Sequence, residues 1–149
     1  MKNKPFYIFE IAVLEREEKA VRKIQIEADK TLYKFADAIT KAFGFFFDHP
    51  FGFYSDLAKG GKDSKAGFEL FSDLDEGPIQ PHYKGVEKVK IKEAFKVVGD
   101  KMLFVFDYGD NWHFSVELKE IREGENQGMK TAVIESTGKA PVQYPPCEE

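Results

Sequence analysis

Two aspartates, Asp107 and Asp110, stand three residues apart in the run Asp107-Tyr108-Gly109-Asp110-Asn111, and the chain has three histidines, His49, His82 and His113. Carboxylates are hard oxygen ligands and imidazole is a nitrogen ligand for divalent ions. Brought together, Asp107, Asp110, His49 and His113 would hold a cation and activate a water for hydrolysis, with either histidine able to serve as general base. No recognised metal-ligand spacing joins them. The same run is also turn chemistry, with Gly109 supplying positive φ and the acids bonding nearby backbone groups. That structural reading is the stronger one. Asp48-His49-Pro50 likewise reads as a loop whose polar side chains satisfy backbone groups.

Other catalytic signatures fail. Lys59-Gly60-Gly61-Lys62-Asp63-Ser64 lacks the spacing of a phosphate-binding loop, and there is no dinucleotide fingerprint or nucleophile elbow. His82 sits in a proline-containing stretch and is expected in solvent. Cys147 has no local activator. No cofactor or bound metal is expected.

Residues 43–54 hold seven aromatics in twelve positions, more than one helix end and one strand face can bury. Phe43 continues the helical stripe of Phe35 and Ile39, so Phe45, Phe46 and Phe47 cannot all follow it inward. An extended chain would alternate them, leaving at least one outside. Phe45, Phe46, Phe47, Phe51 and Trp112 are therefore candidate contact residues for a protein partner, most simply a second copy. The leading expectation is a non-catalytic binding or interaction domain, and the runner-up is a metal-dependent hydrolase using Asp107, Asp110 and His49.

The elements that must position these residues follow from periodicity. Tyr7, Phe9, Ile11 and Val13 alternate with polar positions, as do Ile24, Ile26 and Ala28, which predicts a β-hairpin across the charged run 15–19. Leu32, Phe35, Ala36, Ile39 and Phe43 recur at three and four, predicting a helix capped by Asp29 or Thr31 and ended by Gly44. Short strands are expected at Phe51-Phe53 and Phe68-Leu70, with a mobile connection over 57–67. Residues 73–85 make a second loop, functional or disordered. Ile91, Ala94, Phe95 and Val98 suit a short helix ending at Gly99. The strands 102–107 and 112–118 form the strongest pair, placing Trp112 and Phe114 on one face and His113 on the other. A strand at 131–136 comes last. The class is α+β: a mainly antiparallel sheet of six to seven strands carrying one long and one short helix.

At 149 residues the chain fits a single domain, 1–149, large enough to fold without staples. One cysteine excludes an intrachain disulfide, and the first fifteen residues lack a leader pattern, so the cytoplasm is the expected compartment. Asp48, His49 and Pro50 interrupt the richest apolar stretch, and no membrane span is expected. With 22 Lys and Arg against 26 Asp and Glu, a net charge of −4 opposes non-specific nucleic-acid binding. The lysines at 84, 88, 90, 92, 96 and 101 are diluted by Glu87, Glu93 and Asp100 and read as a solvated face.

The run from Phe104 to Trp112, Phe-Val-Phe-Asp-Tyr-Gly-Asp-Asn-Trp, resembles the signature of the Ri-plasmid (pRiA4b) ORF-3-like family, whose members occur on plasmids, in insertion elements and in chromosomes. Thr31-Leu32, Ile39, Ala42-Phe43-Gly44, Asp48-His49 and Phe53 are similar to the family's helix and the acidic-histidine segment behind it. Ala140-Pro141 and Gln143-Tyr144-Pro145 resemble the tail of shorter members. The resemblance implies a small α+β domain with an association with mobile elements, and it brings no activity, though that setting makes the hydrolase alternative a nuclease-like one. One departure stands out. Many members carry a histidine two residues after the signature tryptophan, whereas that slot is Phe114 here and the histidine is His113, on the opposite face of a strand.

Overall fold

The computed structural model describes residues 4–70, 79–123 and 128–144. Ten elements follow one another: β1 (Phe6–Leu14), β2 (Val21–Glu27), α1 (Leu32–Ala42), β3 (Phe51–Tyr54), β4 (Gly67–Glu69), β5 (Lys84–Gly85), α2 (Ile91–Ala94), β6 (Lys101–Phe106), β7 (Trp112–Arg122) and β8 (Ala132–Thr137). The strands join in one sheet of order β5-β4-β3-β6-β7-β1-β2-β8. Every neighbouring pair is antiparallel except β4 with β5, which is parallel. The sheet is thus mixed and eight-stranded rather than one of six to seven strands. The extra strand is β5, two residues long, too short to leave any period in the sequence.

Period-two patterning dictates what lies on each face. Phe9, Ile11, Ile24, Ile26, Phe51, Phe53, Phe104, Phe106, Phe114, Val116 and Leu118 point to one side, where Leu32, Phe35, Ala36 and Ile39 of α1 close the main core. The opposite side carries the ion pairs Lys119–Glu10, Lys101–Glu117 and Lys23–Glu135. At its β3–β6 end it turns apolar, with Tyr54, Tyr83, Leu103 and Val105 forming a second cluster.

Both ends of α1 are built as the sequence predicts. Thr31 Oγ1 accepts from the Lys34 amide at 3.2 Å. At the other end Gly44 has φ +73°, its amide bonds the Lys41 carbonyl, and the Phe45 amide reaches back to Thr40 at 2.8 Å. This is the Schellman arrangement, in which a left-handed glycine satisfies the last carbonyls and reverses the chain. The second helix is only one turn. Phe95 leaves it in an extended conformation, and Val98 is exposed instead of continuing its buried stripe.

Arg22 anchors the far edge. Buried within β2, it bonds the carbonyls of Ala42 (3.2 Å), Val21 (2.9 Å), Thr137 (3.0 Å) and Gly138 (3.1 Å), tying the end of α1 to β8. Among the described residues no helix is long and apolar enough to cross a membrane. Of the expected loop 73–85, residues 73–78 lie outside the described residues.

Candidate functional site

The Schellman turn decides where the three phenylalanines go. Phe45 is sent back into the core, edge-on to Trp112 at 4.8 Å between ring centres. Phe46 faces out, 71% exposed, and Phe47 turns in against Tyr33 and Phe51. Of the five expected contact residues, Phe45, Phe51 and Trp112 are therefore core, Phe47 is half-buried and Phe46 alone is held out to solvent. Its backbone is fixed on both sides: the Phe46 amide donates to Gln143 Oε1 at 2.7 Å, and Gln143 Nε2 donates to the Phe46 carbonyl at 3.2 Å. Gln143 is itself buried, and its chain neighbours Val142 and Tyr144 are exposed. The tail and the post-helix segment thus build one corner.

The histidine of that segment lies in the same corner. His49 Nε2 is 2.5 Å from Tyr144 Oη, 3.3 Å from Asp107 Oδ2 and 3.6 Å from Asp48 Oδ1. Tyr144 Oη is also 2.9 Å from Asp48 Oδ2, to which it can donate, and the carboxylates of Asp107 and Asp48 around Nε2 favour the tautomer with its hydrogen there. Lost solvation first, then the bond to Asp48 and the charges of Asp107 and Asp110, push the Tyr144 phenol up to about 12.

The turn between β6 and β7 is made differently from the sequence expectation. Positive φ falls at Asp107 (64°) and Asn111 (59°), and Gly109 lies outside that region. Asn111 N bonds Asp107 O at 2.5 Å, while Asp107 Oδ1 accepts from the amides of Gly109 (3.1 Å) and Asp110 (3.3 Å). A five-residue loop moves the left-handed positions onto the Asp and Asn at its ends, residues that tolerate them. Asp107 is thereby shared between bracing the turn and holding His49. Asp110 turns its backbone carbonyl to Arg16 Nη2 at 2.7 Å, and the Arg16 guanidinium lies 3.8 Å from the centre of the Trp112 ring.

The four proposed metal ligands do not converge. His49 and Asp107 meet, but His113 points through the other face, pairing with Glu15 at 3.2 Å and Asn111 at 3.0 Å. Among the described residues no group of three or more His, Cys, Asp or Glu side chains is placed to hold a metal ion.

Residues 5–143, which include this whole turn, match the sequence profile of the plasmid pRiA4b ORF-3-like proteins. The chain belongs to that family. No curated protein is significantly similar in sequence. Among solved structures it is similar to a protein of unknown function, MM3350, from Methanosarcina mazei Go1, with a TM-score of 0.71 and 20% identity over 93% of this chain and 72% of that one. At that identity the likeness shows the fold. The slot where many family members carry a histidine is filled here by Phe114, fully buried against Phe43 and Phe104.

The family signature also contains Tyr108, which sequence reasoning passed over. Its hydroxyl lies 2.7 Å from that of Tyr54, and Tyr54 donates to the buried carboxylate of Glu69. Ile79 N supplies a second donor to Glu69 at 2.9 Å. Gly52 makes the room, since a Cβ there would strike both phenolic oxygens. The available signal was alternation: Gly52 and Tyr54 must face away from Phe51 and Phe53. Glu69, between Phe68 and Leu70, reads by the same rule as solvent-facing, yet it is buried with Tyr54 and the Ile79 amide on its carboxylate.

Burial first, then for Tyr54 the neighbouring Tyr108, hold both phenols above the ordinary tyrosine value of 10.0. Above pH 10 the unfolded chain releases these protons while the native state keeps them. Stability therefore falls as pH rises. Urea midpoints measured between about pH 9 and 11 should drop, and Tyr54→Phe should flatten the drop. An identical slope in that variant would remove the assignment.

Proposed function

We propose that this domain is a non-catalytic binding module that self-associates through the corner formed by Phe46, Val142 and Tyr144. One observation carries the reading: a phenylalanine 71% exposed sits on a backbone that a buried glutamine locks from both sides. Ordering a large aromatic in water is unfavourable unless something covers it, and pre-ordering it lowers the cost of binding. The corner also carries both signs of charge, Arg16 stacked on Trp112 and the carboxylates of Asp48 and Asp110. A two-fold contact sets such a patch against its own copy, so opposite charges can meet across it. Amide spectra recorded on dilution test the location. Shifts confined to residues 46–49 and 142–144 are expected, and shifts centred on another exposed apolar pair, Val97 and Val98 or Val133 and Ile134, would place the contact elsewhere.

The contact between His49 and Asp107 favours a second reading, a metal-dependent hydrolase built on these residues and Asp110. Stoichiometric metal that survives dialysis and is lost in His49→Ala would move the assignment to it. His113, paired with Glu15 and Asn111 on the other face, is missing from that set, which favours the binding module instead.

A further inference from the structure

On the face of the sheet away from α1, the segment that follows β3 folds over Tyr54, Leu103 and Val105 and leaves a cleft of about 380 Å³. Its walls include Leu57, Ile79, Leu103 and Val105, its floor includes Tyr54 and Tyr108, and its rim carries Lys59, Lys62, Glu15 and His113. The volume falls within the roughly 300–1,000 Å³ of small-molecule sites.

The roof is braced. Asp56 Oδ1 accepts from the amides of Ala58 and Lys59, both at 2.9 Å. The carbonyls of Gly60, Gly61 and Lys62 accept from Ser64 Oγ (2.6 Å), Tyr83 Oη (3.1 Å) and Gln80 Nε2 (2.5 Å). These bonds run through the segment expected to be a mobile connection. Gly60 takes φ +56° against Leu103, and Gly61 packs against Tyr54 and Ile79.

The hydrogen bonds on the floor run in one direction. Tyr54 has a single proton and gives it to Glu69, so in its contact with Tyr108 it must accept. Tyr108 then spends its only proton on Tyr54, and its oxygen is left with lone pairs and no hydrogen to offer. Glu69 is a buried carboxylate with no cation in ion-pair contact among the described residues, held by the Tyr54 hydroxyl and the Ile79 amide. A buried acid satisfied by neutral donors is an expensive feature for a fold to keep. Here it fixes the polarity of the floor.

We propose that this cleft is a binding site for a small, mainly apolar ring compound carrying one O–H or N–H donor, which it gives to the oxygen of Tyr108. The apolar walls take the ring, and the directed chain Tyr108–Tyr54–Glu69 selects for the donor. Both phenols remain protonated across the neutral range, so the selection holds there. The site lies on the opposite face from the His49 corner and does not depend on self-association.

Matched probes test it: indole against N-methylindole and phenol against anisole, titrated into the full chain and followed by amide chemical shifts. Indole and phenol should shift Gly60, Gly61, Ile79 and Asn111 and bind about tenfold more tightly than their methylated partners, because an unanswered acceptor penalises the analogue. Tyr108→Phe should erase that preference while leaving the methylated probes unaffected. Tyr108 is 39% exposed, so the variant should fold, and the matched pairs on the unsubstituted protein decide the matter without it. Equal affinity within each pair, shifts centred elsewhere, or no shift up to the solubility limit of the probes would overturn the proposal.

Discussion

Replacing Phe45 with alanine should lower the free energy of unfolding by about 3–5 kcal/mol, whereas the same change one residue later should cost about 0.5 kcal/mol or less. Phe45 fills the space between Trp112, Phe106 and Phe114 and is 5% exposed. Truncating it removes the buried ring and leaves a cavity among aromatics that cannot close up. Phe46 has no such surroundings. Its contribution to the monomer is its backbone, which an alanine keeps. Urea denaturation of the two variants at a concentration low enough to hold them monomeric separates the outcomes. Similar losses would mean that Phe46 is packed and that no corner exists to bind anything.

Arg22→Met should cost about 3 kcal/mol, the range for removing a buried charged hydrogen-bond donor whose partners stay behind. The loss should be uneven. Every residue of β8 is exposed, so this strand has no buried side chain to hold it and depends on its ladder with β2, on Lys23–Glu135 and on the Arg22 guanidinium at Thr137 and Gly138. Hydrogen exchange should therefore show the β8 amides opening well below the global unfolding energy in the variant, with β1, β6 and β7 keeping their protection. Unchanged protection of β8 would show that the ladder alone holds the edge.

What was legible in the sequence follows the length of each period. The β1–β2 hairpin, α1 with its Thr31 cap and Gly44 stop, and the β6–β7 pair each repeat their pattern often enough to be unambiguous. Alternation also required an outward phenylalanine after Gly44, though not which one; that depends on the Schellman turn returning Phe45 to the core. At two residues β5 carries no period, and its parallel pairing with β4 is set by tertiary contacts. Gly109 misled because glycine is the usual bearer of positive φ, whereas a five-residue loop closed from Asn111 to Asp107 placed that burden on its ends. Of the polar candidates, His49 and Asp107 were brought together by the β3–β6 register, which continues past Phe51 and Phe106 to the bond from Asp107 N to the Pro50 carbonyl at 2.9 Å. His113 was separated from them by its strand parity, the one-residue step already visible beside Trp112. Glu69 stayed hidden because a lone acid in a strand looks solvated, and nothing in its own segment announces the Tyr54 hydroxyl and Ile79 amide that meet it.

Self-association through the Phe46 corner is tested most directly by light scattering across a concentration series, on the unsubstituted chain and on Phe46→Asp in parallel. The average mass of the unsubstituted protein should climb from one chain toward two as concentration rises, while Phe46→Asp, with its fold and melting temperature unchanged, should stay at one chain throughout. A strict monomer at every concentration, or a dimer that Phe46→Asp leaves intact, would contradict it.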